Sequence, residues 1–164
     1  PFADKLQDKK AVSTYKQTGK KKVQSNYAKL AKNDKALFNK GKELFYGHAN
    51  CFGCHGPDAE GLPNMGPPLV KSEWVNGSTE RLAKVMLHGL YGPITVNKKK
   101  YNTPMPMPGL GANPMFKDKD LAAIATFIRN HFGNTAGAVQ EATIKKVRQE
   151  TSDRSTPYEV KELQ

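Results

Sequence analysis

The sequence predicts an all-α fold of three main helices joined by loops rich in glycine and proline. Three observations carry that expectation. Apolar residues recur at helical spacing in three stretches, near residues 37–45, 82–86 and 121–132. The connections at 61–69, 89–93 and 103–114 are dense in Gly and Pro, and ordered loops of that length need something to pack on. The only two cysteines stand in Cys51-Phe52-Gly53-Cys54-His55, directly after the first stripe.

That pentapeptide names what the loops pack on. Two cysteines three apart, followed at once by histidine, form the attachment site of a c-type haem. Each thiol adds across one haem vinyl group to make a thioether, and one turn of backbone presents both sulfurs to the porphyrin edge. His55 then lies where its imidazole reaches the iron from the proximal face. A redox Cys-x-x-Cys needs no histidine after it. A zinc site wants a second ligand pair, which the chain lacks. One covalent haem c is therefore expected, held by Cys51, Cys54 and His55.

The elements follow in order. A short helix is possible from Ser25 to Ala31. The first main helix is expected from Asn33 or Asp34, either of which is a suitable cap, to Tyr46, with Leu37, Phe38, Gly41, Leu44 and Phe45 on one face. Glycine costs about 1 kcal/mol in a helix interior relative to alanine, so Gly41 predicts a close crossing with another helix. The expected partner is Asp118 to Phe132, with Leu121, Ile124, Ala125, Ile128 and Phe132 in a stripe, Asp118 as cap and Gly133 as stop. Between them, Ser78 to His88 reads as a shorter helix capped by Ser78, with Leu82, Val85 and Met86 inward and Gly89 ending it. Thr95-Val96 and Lys100-Tyr101, three residues apart, predict a small hairpin. A last helix is expected from about Val139 to Thr151. Its Val139, Ile144 and Val147 are too sparse for a deep core, which predicts a tail that lies on the surface or contacts a partner. The organisation read from this is a basic N-terminal extension over 1–32, a haem domain over 33–133 and a partly helical tail over 134–164.

Composition agrees with a small core completed by a bound apolar group. Hydrophobic residues are 37% of 164, and mean hydropathy is −0.67. The formal charge of +11 is uneven: residues 1–50 carry +8, residues 51–133 carry +3 and residues 134–164 are neutral. Such a basic arm reads first as a merely solvated extension; it also suits an acidic protein partner or an anionic membrane surface, with nucleic acid as the generic alternative, and no nucleic-acid partner is expected. No run of about 18 apolar residues is present, so no segment reads as a membrane span. No signal peptide begins at Pro1. Because c-type haem is attached after export, the expectation is a trimmed chain that works in the periplasm or an equivalent extracytoplasmic space.

A low-spin carrier needs a second axial ligand, and a methionine thioether there favours ferrous iron. Met86 falls in an apolar stripe and reads as core. Met65 is only ten residues after His55, and Met115 adjoins the last main helix. The strongest candidates are Met105 and Met107 in Pro104-Met105-Pro106-Met107-Pro108, where flanking prolines stiffen the segment. His48 is too near the attachment site. His88 and His131 sit at helix ends and read as surface or capping residues.

At this point the sequence resembles the class I, mitochondrial-like cytochrome c family over about residues 34–133. The residues that carry the resemblance are Gly41-x-x-Leu44-Phe45, Cys51 to Gly56, Gly66-Pro67-Pro68-Leu69, the Met-Pro pair and Ile124 to Arg129. It is similar to bacterial cytochrome c domains associated with periplasmic quinoprotein-type dehydrogenases, through Trp74-Val75, Leu87 to Ile94 and Phe127 to Asn134. The resemblance implies the cytochrome c fold, with Cys51 and Cys54 as thioether positions and His55 as proximal ligand. It also implies a proline carbonyl, at Pro67, that accepts the histidine Nδ1–H. Met-Pro-Gly-Leu-Gly at 107–111 fits the family's Met-Pro-x-x-Gly, which favours Met107 as sixth ligand. Counting four residues on from Tyr101 gives Met105 as the alternative.

The function expected is electron transfer without bond chemistry: one haem c with His/Met ligation, cycling between Fe(III) and Fe(II) and carrying electrons from a periplasmic dehydrogenase to a terminal acceptor or oxidase. Redox partners with acidic docking patches are expected. The rival readings are a haem domain of a larger redox enzyme, and a haem sensor or enzyme with an open sixth site.

Overall fold

The computed structural model describes residues 24–164. The Lys20-Lys21-Lys22 cluster and most of the basic extension lie outside the described residues. Among those described there are six helices: α1 (Lys32–Tyr46), α2 (Cys51–His55), α3 (Glu73–Asn76), α4 (Thr79–His88), α5 (Asp118–Asn130) and α6 (Glu141–Glu150). Five short strands accompany them: β1 (Gly89–Tyr91), β2 (Ile94–Val96), β3 (Lys99–Tyr101), β4 (Met107–Pro108) and β5 (Tyr158–Glu159). Single 3-10 turns occur at Tyr27–Lys29 and Val160–Glu162.

α1 and α5 form the central crossing. α1 buries Phe38, Gly41, Leu44 and Phe45. It begins after Ala31, which offers no side-chain cap; Asn33 and Asp34 both lie inside the helix, where Asp34 complements the positive end of the dipole. A Cβ on Gly41 would overlap the Ala123 carbonyl and stand 2.8 Å from the Phe127 Cβ. The lost helix propensity is thus exchanged for backbone contact. Phe38, Phe45, Phe127 and Phe132 pack edge-on or tilted around the crossing, with ring centroids 5.1 to 5.4 Å apart.

α5 begins at Asp118 itself rather than being capped by it, and Asp120 Oδ2 accepts the Lys117 N–H at 2.9 Å. Every residue from Leu121 to Asn130 is buried. A helix buried all round must be covered on every side, and α6 supplies part of that cover. Val139, Ile144 and Val147 are 2%, 0% and 0% exposed. The superficial tail expected from the sequence is therefore a layer of the core. Its apolar residues are few, but α5 presents Ala122, Ala123 and Ala125, whose small side chains admit close neighbours on more than one side. The buried Thr126 hydroxyl also accepts the Val139 N–H at 3.0 Å.

α4 matches its expectation: the Ser78 hydroxyl accepts the Arg81 N–H at 3.2 Å, and Gly89 ends the helix at φ +88°. The all-α expectation is too narrow. β1 lies between β4, antiparallel, and β5, parallel, with Leu90 opposite Met107 and Tyr158. β2 and β3 form an antiparallel hairpin turned by Asn97 and Lys98, both at positive φ as a two-residue type I′ turn requires. The loop is one residue shorter than expected because Lys99 pairs with Val96.

Two buried polar side chains tie these parts together. Arg129, 5% exposed, donates to the carbonyls of Val75 at 2.7 Å, Gly77 at 2.9 Å, Ala136 at 2.7 Å and Gly137 at 3.3 Å. Burial lowers its pKa from the ordinary value, and it meets oxygens that are partial rather than full negative charges. Asn134 donates to the carbonyls of Leu69 and Ile128 and accepts from Asn76, binding the end of α5 to the 61–69 loop.

Candidate haem-binding site

A cavity of about 490 Å³ opens between α2, the 65–69 loop, α3, α4, α5, the hairpin and the 103–110 loop. That is within the range of sites that enclose a large organic ligand. Cys51, Cys54 and His55 line it together with Pro67, Met105 and Met107. The structure therefore brings all the residues selected from the sequence to one cavity.

α2 positions the first three. It follows Asn50, which turns the chain at φ +49°. Cys51 and Cys54 are half-buried, and burial pushes the Cys51 thiol up to about 12, so the sulfur brings no charge to an apolar wall. His55 is 8% exposed, and its Nδ1 lies 2.7 Å from the Pro67 carbonyl oxygen. A carbonyl only accepts, so Nδ1 carries the proton and Nε2 keeps its lone pair. Burial lowers the imidazole pKa, against the opposing pull of the Pro67 carbonyl. A neutral ring with one nitrogen fixed by a carbonyl is the form in which histidine ligates a metal.

The 56–70 loop is built to hold Pro67 there. The Gly61 N–H donates to the His55 carbonyl at 2.8 Å, Leu62 pairs with Gly66, and the Leu69 N–H donates to the Ala59 carbonyl at 2.8 Å. A Cβ on Gly66 would come within 3.0 Å of the Cys54 carbonyl oxygen and 3.3 Å of His55 Cε1, so only glycine lets this loop lie flat on the histidine.

The methionine loop forms another wall. Pairing of Met107 with Leu90 sets its backbone, and the Leu110 and Gly111 N–H groups donate to the carbonyls of Met86 and Leu87, each at 2.8 Å. Thr103 Oγ1 donates to the Met105 carbonyl at 2.9 Å. Met107 is half-buried and Met105 is 58% exposed. Met65 and Met86 also reach the cavity, whereas Met115 does not and is 64% exposed. His48, His88 and His131 are absent from the lining. His131 takes the C-cap position of α5, as the capping reading has it, and packs among the rings of Phe38, Phe127 and Phe132 rather than on the surface.

Sequence reasoning gave Ile94, Val96 and Trp74 no place in the site, yet all three stand in the cavity wall. The hairpin residues were detectable, since Ile94 and Val96 alternate with exposed Thr95. Trp74 Nε1 donates to the Thr95 carbonyl at 3.0 Å, hanging the hairpin on α3.

The donor set suits a planar apolar group that brings its own metal. One imidazole and several thioethers face apolar walls. Among the described residues no cluster of three or more His, Cys, Asp or Glu side chains gathers to hold a bare ion.

Comparison with known proteins agrees with that geometry. The family model described as Cytochrome c matches residues 38–132. The chain is 30% identical over 119 residues to a cytochrome c-552 of Thermus thermophilus, across 69% of this chain and 87% of the relative. It is also 30% identical over 119 residues to the cytochrome c-552 of Thermus thermophilus strain ATCC 27634, across 69% of this chain and 77% of that relative.

Proposed function

The chain belongs to the cytochrome c family and covalently binds haem c, with Cys51 and Cys54 in the attachment positions, and we propose from this that it is a one-electron carrier with His/Met axial ligation. The haem supplies the redox chemistry, its iron alternating between ferric and ferrous states. The residues of the chain determine the rest.

His55 is the proximal ligand, its tautomer and ring plane set by Pro67. Met107 is the sixth ligand, with Met105 as the alternative, and a thioether at that position favours the ferrous state. The buried walls contributed by α4, α5 and the hairpin keep water and small molecules from the metal. With His55 and a methionine both given to the metal, no position would be left for a substrate, which supports electron transfer without bond chemistry.

The donor is a periplasmic dehydrogenase, the acceptor a terminal oxidase or its equivalent, and the compartment extracytoplasmic. The basic surface supports partners with acidic docking patches. No helix among the described residues is long and apolar enough to cross a membrane.

The observation that carries this reading is the His55–Pro67 hydrogen bond on a cavity whose other wall holds two thioethers. Redox titration followed by absorbance tests it. A reversible one-electron transition is expected, with a far-red sulfur-to-iron band in the ferric form and no rapid binding of carbon monoxide in the ferrous form. Rapid binding would instead assign an open sixth site.

A further inference from the structure

The segment beyond the part of the chain that matches the family, after residue 132, is built onto the methionine loop. Arg148 of α6 reaches out of its helix in two directions: Nη1 donates to the Gly111 carbonyl at 2.5 Å and Nε to Asp118 Oδ1 at 2.6 Å. Gly111 directly follows the 103–110 loop that carries both methionines, and Asp118 starts α5. Three residues on, the Thr151 hydroxyl donates to the Val147 carbonyl at 2.7 Å and so stands as acceptor for His88 Nε2, also at 2.7 Å. His88 immediately precedes β1, the strand that pairs with Met107. β5 then takes the free edge of β1, and Tyr158 is held between the His88 ring and the Arg154 guanidinium, 3.6 Å from its ring centroid.

We propose that residues 141–162 are a brace for the sixth-ligand loop, in which Arg148 and Thr151 are positioning residues that hold the backbone of residues 107–111 in its ligating conformation. The proposal rests on the His/Met reading for its consequence at the metal, but not for the contact itself. Two-residue strands pair weakly by themselves, so β1 and β4 would open readily if the far edge and the loop end were free. A charge-assisted hydrogen bond at Gly111 and a third strand raise the free energy of that opening.

The holoprotein carries the test. Arg148→Met should speed amide exchange at Leu110 and Gly111 about tenfold or more and speed cyanide binding to ferric protein by a similar factor. Thr151→Val, which keeps its shape, should shift both in the same direction by less, and Arg148→Lys should restore part of the loss. Lys146→Ala, on the same helix but in an exposed pair with Glu80, should leave both unchanged. The brace is overturned if Arg148→Met and Thr151→Val exchange at the rate of the parent, or if Lys146→Ala accelerates exchange as much as they do. If Arg148→Met does not fold, Thr151→Val decides alone. A parent protein without the far-red band would remove the His/Met reading while leaving the exchange comparison to judge the brace.

Discussion

The main chains of Gly41 and Ala123 touch where α1 crosses α5, with no side chain between them. This one contact sets the distance between the two helices and draws Phe45 and Phe127 together, 5.4 Å between centroids. Phe45 and Ile124 both reach the cavity wall, so the crossing also sets how far apart two sides of the site stand.

Gly41→Ala tests the contact. Alanine would gain about 1 kcal/mol in helix propensity, while overpacking against an immobile carbonyl costs about 3 kcal/mol or more. The expected result is a net loss of about 2 kcal/mol or more in guanidinium denaturation. A stabilised variant would mean that the helices separate freely.

A second prediction concerns acid. Burial, with a smaller contribution from Lys42, lowers the His131 pKa from 6.5 to about 4, and its Nδ1 has no hydrogen-bond partner. As pH falls from 6.5 towards about 4, the unfolded chain takes up a proton that the native chain refuses, so stability falls over that window and levels off below it. The loss from this residue is at most about 3 kcal/mol. His131→Phe keeps an aromatic ring among Phe38, Phe127 and Phe132 and removes the unpaired nitrogen. It should flatten the acid limb of the denaturation midpoint against pH; an unchanged limb would place the titration elsewhere.

The sequence was most legible where a local rule and a tertiary need coincide. Gly41 is costly unless something crosses it, and Ser78 is a cap whatever follows. The attachment motif needs no fold at all to be read. The α6 layer was misjudged because burial depends on what a residue meets: three apolar side chains look too few until α5 is seen to carry alanines. The sheet was missed for a related reason. Two- and three-residue strands leave little periodicity, and β5 finds β1 across about seventy residues of chain. Arg129 gave no sign of its role, since a side chain satisfied by carbonyls has no partner residue to look for, and Asn134 meets its one side-chain partner, Asn76, across 58 residues of chain.

The charge of the hairpin tip leads to a kinetic prediction. Lys98, Lys99 and Lys100 are exposed on a hairpin whose Ile94 and Val96 line the cavity. They would attract an anionic oxidant to this side of the site. Replacing all three with glutamine should slow oxidation by hexacyanoferrate(III) by roughly tenfold at low ionic strength and flatten its dependence on salt. Stopped-flow rates equal to those of the parent across the salt series would move the encounter to another face.

The last prediction separates the two methionines. Both side chains reach the cavity, but their backbones are held differently. Met107 is in β4, paired with Leu90, and the four residues after it are bonded to α4 through Leu110 and Gly111. Met105 is held through its carbonyl by Thr103, in a more exposed turn. A thioether loses least entropy on coordination where its backbone is already fixed, which favours Met107. Met107→Ala should therefore abolish the far-red band, lower the reduction potential and admit cyanide, whereas Met105→Ala should keep the band. Loss of the band in Met105→Ala alone would reverse the assignment. The ligand would then lie at the outer turn of the loop, with β4 acting as its hinge.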